Sequence, residues 1–385
     1  MPKAGAESIP APADPQSQAS RAVSFPRRIV RGVWRRLARV VVRMHGALDA
    51  MFVPLAARSR WLSSVYYAFW SRAFAREHQA MLNARLSYAE DLRSPGAGFA
   101  LLRRNVHRLE KGLLMRPRRD VFGVGYIEEA MECYEHIRKS HCDDEGECGT
   151  EMKWAHDVLK KYFEVTTSHE VIDRCRKRFD ALPPVSCESG EKVPYKRDLA
   201  KEPSVSYDDL MALAMRRRSV RWFLPKAVDR EMIDRAVTLA GQSPSACNRQ
   251  PFSFRIFDEK ELVQKVIKLP MGTSGFSDNV PVVAVVVGRI GNYPKERDRH
   301  LIYIDGSLAT MAFVFAIESQ GLSTCCINWP DIEELEVAMS DLLRLAPDER
   351  PIMCVAVGHP DPEGEVAYSD KKPLDQMRQY NRTGK

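Results

Sequence analysis

The chain has 385 residues, 44% of them hydrophobic and 28% charged, with a formal net charge of +7. That length exceeds an ordinary single domain, and that composition excludes collagen-like and wholly disordered chains, so two domains of a soluble globular protein are expected. No apolar run approaches the roughly 20 residues that span a bilayer, and VPVVAVVVG is strand-length.

In chain order, residues 1–26 are rich in Pro, Ala and Ser and read as a disordered tail. Between Arg21 and Arg60 stand ten arginines and one acidic residue, Asp49. Val30, Val33, Trp34, Leu37, Val40, Val41 and Met44 recur at helical spacing, with Arg28, Arg31, Arg35, Arg36, Arg39 and Arg43 mostly on the other side. This basic amphipathic helix either lies in an anionic membrane interface or packs on the protein's own helices. Trp61, Tyr66, Tyr67, Phe69 and Trp70 add interfacial residue types, so residues 28–70 are the candidate peripheral membrane contact. Nucleic acid is not expected as a partner.

From Ala73 to about Leu182 the pattern is helical, in FAREHQAMLNARLSYAEDL, GFALLRRNVHRLEKGLL, YIEEAMECYEHIRK and EMKWAHDVLKKYFEV. HRLEKGL, His107 to Leu113, reads first as an ion-paired helix face ending at Gly112 and second as a functional motif. Cys133, Cys142, Cys148, His136 and His141 match no standard zinc spacing. Nine cysteines without a cleavable secretory signal point to free thiols and a cytoplasmic location, at the membrane's cytoplasmic face if the basic helix binds there.

Pro183, Pro184, Pro194 and Pro203 mark a charged linker, which makes residues 27–200 a helical N-terminal region and 205–385 a second domain. There, Ser206 to Asp209 fits a capping box and Asp229 caps a second helix. Strands are expected at 252–258, 281–288, 323–328 and 352–358. Asp305 is placed to cap the long apolar helix GSLATMAFVFAIESQG, which ends at Gly321 and demands burial on nearly all sides. The fold class is α+β, a mixed three-layer sandwich preceded by helices.

No P-loop, HExxH or GxSxG occurs, and GVG at 123–125 lacks a third glycine and a preceding strand. What stands out is RRRSVR, Arg216 to Arg221, whose guanidiniums and hydroxyl suit a phosphate. In order follow PSACNRQPF, NVPVVAVVVG, IDGSLA, GLSTCCI, VAVGHP and SDKKPL. Over roughly 207–380 this succession resembles the nitroreductase family of FMN enzymes.

The resemblance implies a homodimer with FMN in two interfacial sites, NAD(P)H as co-substrate and a small organic electron acceptor. It assigns Arg217, Arg218 and Ser219 to the phosphate and ribityl end of FMN. Arg221 falls near the pyrimidine edge, where a cation would stabilise charge on the reduced ring. Pro244 and Ser245 meet flavin from across the interface, while Asn248 and Gln250 stiffen the junction. Cys326, Ile327 and Asn328 supply main-chain groups, and Lys371, or Lys372 in a shifted register, a second phosphate cation. Cys325 reads as a small buried hydrophobe. No side-chain nucleophile is needed.

PSACNRQPF ends in Phe252 where relatives have Trp. In PMGTSGFSDNVP, where many relatives place an Asn or Gln followed by a Lys over the flavin, there is neither Gln nor Lys, and Thr273 or Ser274 is left to offer a polar group to the flavin. Three readings result: an FMN-dependent NAD(P)H oxidoreductase with ping-pong kinetics; a flavin-cleaving or reductive-dehalogenase relative, which RRSVR and KPLDQ resemble; and a flavin-binding scaffold without turnover.

Overall fold

The computed structural model describes residues 40, 43–93, 99–142, 149–183, 185, 190–293 and 295–383. The tail over 1–26 and most of the basic amphipathic helix lie outside them. The chain divides into two compact units, Met1–Ala75 and Arg76–Lys385.

The described part of the first unit is a helix over 43–56, α1, followed by α2 (Arg60–Phe69). The Ser59 hydroxyl caps α2 by accepting from Leu62 N at 3.1 Å. Asp49 accepts from Tyr66 OH and, at 3.2 Å, from Trp70 Nε1. Trp61 and Phe69 remain exposed, and α2 buries none of its residues.

The second unit opens with five helices: α3 (Ala75–Arg93), α4 (Phe99–Leu114), α5 (Ile127–His141), α6 (Thr150–Val165) and α7 (Glu170–Asp180). Four are those expected. The fifth, α7, lacks a usual cap residue: His169 accepts from Val171 N through its ring nitrogen. Apolar stripes of α4–α7 share a core containing Leu102, Leu109, Tyr134, Leu159 and Phe179. Cys133 belongs to it, and burial pushes its thiol up to about 12, which disfavours the thiolate a metal needs. Cys142 is disulfide-bonded, a departure from the expected free thiols, whereas Cys133, Cys175, Cys247, Cys325, Cys326 and Cys354 are free.

The chain then forms α8 (Tyr207–Arg216) and α9 (Arg230–Ala240), with the Ser206–Asp209 capping box and the Asp229 cap in place. The strands are β1 (Phe252–Phe257), β2 (Val282–Arg289), β3 (Ser323–Asn328) and β4 (Glu349–Gly358). They lie in the order β1-β2-β4-β3, every neighbour antiparallel. β4 starts three residues before the expected position because its pairing with β2 continues past a bulge. Val286 faces Met353 and Val287 faces Pro351, so Ile352 is the extra residue, and the proline falls where the ladder is interrupted.

Period-two alternation sends Val282, Ala284 and Val286 to one face and Val283, Val285 and Val287 to the other. The first face packs on α9 and α11 (Leu301–Ser319). The second is covered by α10 (Lys260–Ile267) and α12 (Glu333–Leu343), short amphipathic helices absent from the sequence reading. The chain closes with α13 (Leu374–Met377). The result is the three-layer sandwich expected.

Glu296–Ser319, which includes α11, is long and apolar enough to cross a membrane, contrary to the sequence estimate, but half of its apolar window is buried in the protein. Ile304, Leu308 and Met311 on α11 stay exposed. Asp305 does not cap α11: the helix begins four residues earlier, behind His300, and carries Asp305 inside it.

Candidate functional site

Arg217 ends α8 with extended torsions, and the chain runs on beside β3. Ser219 forms a parallel bridge with Thr324, and Val220 N donates to Thr324 O at 3.0 Å. In β3 the buried Cys325 and Ile327 alternate with the exposed Cys326 and Asn328. Arg217 and Ser219 therefore lie along the β3 edge of the sheet, the strand that carries exposed Cys326 and Asn328 on either side of Ile327. Desolvation by the surrounding protein and then Cys325 raise the pKa of the Cys326 thiol, and nearby Arg217 opposes that rise.

Two of the four arginines are engaged. Arg216 Nε pairs with buried Glu318 at 3.0 Å, and Arg218 donates to Tyr368 O at 3.1 Å. Arg217 and Arg221 form no ion pair among the described residues, although Arg221 sits 6.0 Å from the centroid of the Phe276 ring. The Arg218 contact ties down the chain three residues before Lys371. Lys371 and Lys372 are both exposed.

Asn279 was missed by sequence reasoning and stitches this segment in place. Its Oδ1 accepts from Phe223 N at 2.8 Å, and its Nδ2 donates to Arg221 O at 2.9 Å. Leu224 N donates to His359 O at 2.9 Å. A Cβ on Gly358 would stand 2.7 Å from Phe223 Cδ1, so glycine permits that close approach. Thr273 is not a free polar group: it is buried and its hydroxyl donates to Pro270 O at 3.1 Å, which leaves exposed Ser274.

The junction 243–252 forms the second cluster. Cys247, Asn248 and Gln250 have φ of 53°, 51° and 48°, left-handed conformations that cost energy for residues with a Cβ. Asp305 anchors the residue that precedes them. Its Oδ2 accepts from Ala246 N at 3.1 Å and lies 2.6 Å from the Tyr293 hydroxyl, itself 3.1 Å from Ala246 O. Gln250 N donates to Ser245 Oγ at 3.0 Å, and Gln250 Nε2 to Asn248 Oδ1 at 3.2 Å. Pro244 is exposed. Neither Asp305 nor Tyr293 was legible as a support, because both lie far from the junction in sequence.

These clusters hang from opposite ends of α11. The first is anchored on α11 at Glu318 and the second at Asp305, and at 1.5 Å per helical residue these anchors stand about 20 Å apart.

The profile of the Nitroreductase family matches residues 214–274 and 260–359, which include RRSVR, the junction, all four strands and α11. The C-terminal part of the chain is a nitroreductase-family domain. The chain is 22% identical over 255 residues to iodotyrosine deiodinase 1 of Homo sapiens, covering 58% of this chain and 84% of that protein. It is 22% identical over 213 residues to the putative NAD(P)H nitroreductase YdgI of Bacillus subtilis (strain 168), covering 46% and 99%. Among solved structures, an FMN-dependent nitroreductase from Clostridium difficile R20291 aligns with TM-score 0.39 and 19% identity over 45% of this chain and 99% of that one. The nitroreductase domain thus carries the candidate site, and the helical region lies outside the family match.

Proposed function

We propose that the protein is an FMN-dependent oxidoreductase of nitroreductase type that takes reducing equivalents from NAD(P)H and passes them to a small organic acceptor. Kinship with nitroreductases supports an oxidoreductase. The observation that carries the finer reading is the cation of Arg217 and the hydroxyl of Ser219, without an ion pair or side-chain hydrogen bond among the described residues, at the β3 edge near Arg221. Arg217 and Ser219 would hold the FMN phosphate, Arg221 the electron-rich ring edge, and β3 backbone groups the ring face near Cys326 and Asn328. FMN, when bound, supplies the redox chemistry; these side chains bind and orient it. NAD(P)H and acceptor would use one cleft in turn, which gives ping-pong kinetics.

Two observations support a homodimer with sites shared between protomers. The two clusters are anchored at opposite ends of α11, as expected if each meets a ligand together with the other cluster of a second copy. Moreover, α8 buries none of its residues and exposes Tyr207, Met211 and Met215, and α11 exposes Ile304, Leu308 and Met311. Helices with such faces gain stability by packing on a second copy.

The test is direct. The purified protein should be yellow, release FMN on denaturation and lose its flavin absorbance when NADH or NADPH is added without oxygen. Arg217→Gln should weaken FMN binding tenfold or more, in line with about 1.5–3 kcal/mol for a hydrogen bond to a charged group. A colourless protein that takes up no added FMN overturns the reading.

A second reading, reductive dehalogenation, is favoured by the extent of the deiodinase match. Its share of this chain exceeds the stretch from 214 to the C-terminus, so the likeness reaches back into the helical region. Iodide release from iodotyrosine by the reduced protein would select it.

A further inference from the structure

Three residues of HRLEKGL and its preceding turn, Arg104, Arg108 and Lys111, fall at i, i+4 and i+7 on one face of α4. The opposite face, with Leu102, Val106 and Leu109, is committed to the helical core. The basic stripe instead lines a cavity of ≈ 710 Å³ whose other wall belongs to the nitroreductase domain and includes Arg249, Lys295 and Arg297.

Negative charge in this cavity is scarce. Glu129 lies 3.6 Å from Arg104, and Asp298 lies 3.3 Å from Arg297. Arg108 stands 3.6 Å from the centroid of the Tyr126 ring, and neither it nor Lys111 forms an ion pair among the described residues. Arg249 is the most telling residue: it is only 8% exposed, yet among the described residues it faces no carboxylate. One guanidinium nitrogen donates to Asn292 O, and its Nε has no hydrogen-bond partner. Burial and then Arg104 hold this guanidinium below its usual pKa. A buried charge without a counter-ion is costly, and a bound anion would remove that cost.

We propose that this cavity binds a soluble small molecule bearing phosphate, held by Arg104, Arg108, Lys111 and Arg249. Arginine forks and a lysine point charge are the donors that phosphate oxygens take best. The volume lies within the roughly 300–1,000 Å³ of small-molecule sites, which suits a compact ligand better than a polymer. Tyr88, Tyr126 and Tyr293 offer aromatic walls for an organic moiety. The site is separate from Arg217 and Ser219. It also touches Ala246 and Cys247, so occupancy would brace the strained junction from behind.

Inorganic pyrophosphate is the probe, measured on the full chain by calorimetric titration and thermal unfolding, with sulfate and chloride at matched ionic strength. Saturable binding is expected, with a rise in Tm that the other salts do not produce. Arg108→Gln with Lys111→Gln should fold normally, keep any flavin and weaken pyrophosphate binding at least tenfold. Arg249→Met should lose the pyrophosphate response while its ligand-free Tm stays equal or rises, as expected for removal of an uncompensated charge. Stabilisation no greater than that by sulfate, or unchanged binding in the Arg108/Lys111 variant, would overturn the proposal.

Discussion

Asp305 illustrates how one carboxylate can do work that its sequence position conceals. Preceding GSLATMAF, it reads as a helix cap. In the fold it is buried, accepting from Ala246 N and contacting the Tyr293 hydroxyl. Asp305→Ala would leave Ala246 N without its partner, while the Tyr293 hydroxyl keeps Ala246 O as acceptor, and would remove one tie on the turn that carries three residues at positive φ. Unfolding in urea should show a loss of about 1–3 kcal/mol, the cost of one orphaned group. Binding at Pro244 and Ser245 should weaken in parallel. A near-silent substitution would show that the junction keeps its shape unaided. The contributions of Asn279 and Tyr293 were illegible for the same reason: an Asn before a strand, or a Tyr after one, carries no local sign of the distant backbone that it meets.

At the level of elements, amphipathic periodicity located most helices of the N-terminal region, and their core shows why. Its packing also leaves a pH signature. His156 of α6 lies between Tyr134, whose hydroxyl is 2.8 Å from Nδ1, and Phe179, whose ring is stacked at 5.0 Å. Burial lowers its pKa from 6.5 to about 4. Between those values the unfolded chain binds the proton and the folded chain does not. The contribution to stability is thus complete above about pH 6.5 and is lost as pH falls toward 4. Allowing for the ring's partial solvent contact, the loss should be on the order of 1–2 kcal/mol. Urea unfolding at pH 7 and pH 5 should reveal it, and His156→Phe should remove that part of the slope. A slope unchanged in the variant would assign it to other groups.

For the whole molecule, the feature to test is that RRRSVR and the 243–252 junction are anchored at opposite ends of α11. If each site needs both, the protein acts only as an assembly. Leu308→Glu would place a charge on the exposed apolar stripe of α11. Sedimentation should then show a shift from dimer to monomer, and FMN should be lost in the same fraction. A monomeric variant that keeps its flavin would mean that one chain completes the site.

The order of short motifs from Arg216 to Leu374 determined, by sequence alone, the kind of domain, and it named the segments proposed to line its site. Strand alternation and helix caps are local signals, because their stabilising contacts lie within a few residues. Tertiary structure alone decided that Arg217 and Ser219 share an edge with Cys326 and Asn328, and that Asp305 supports the junction. It also placed the basic stripe of α4 against buried Arg249. These pairings join residues from about 60 to more than 140 positions apart, and no local periodicity encodes a contact whose partner is chosen by packing across layers.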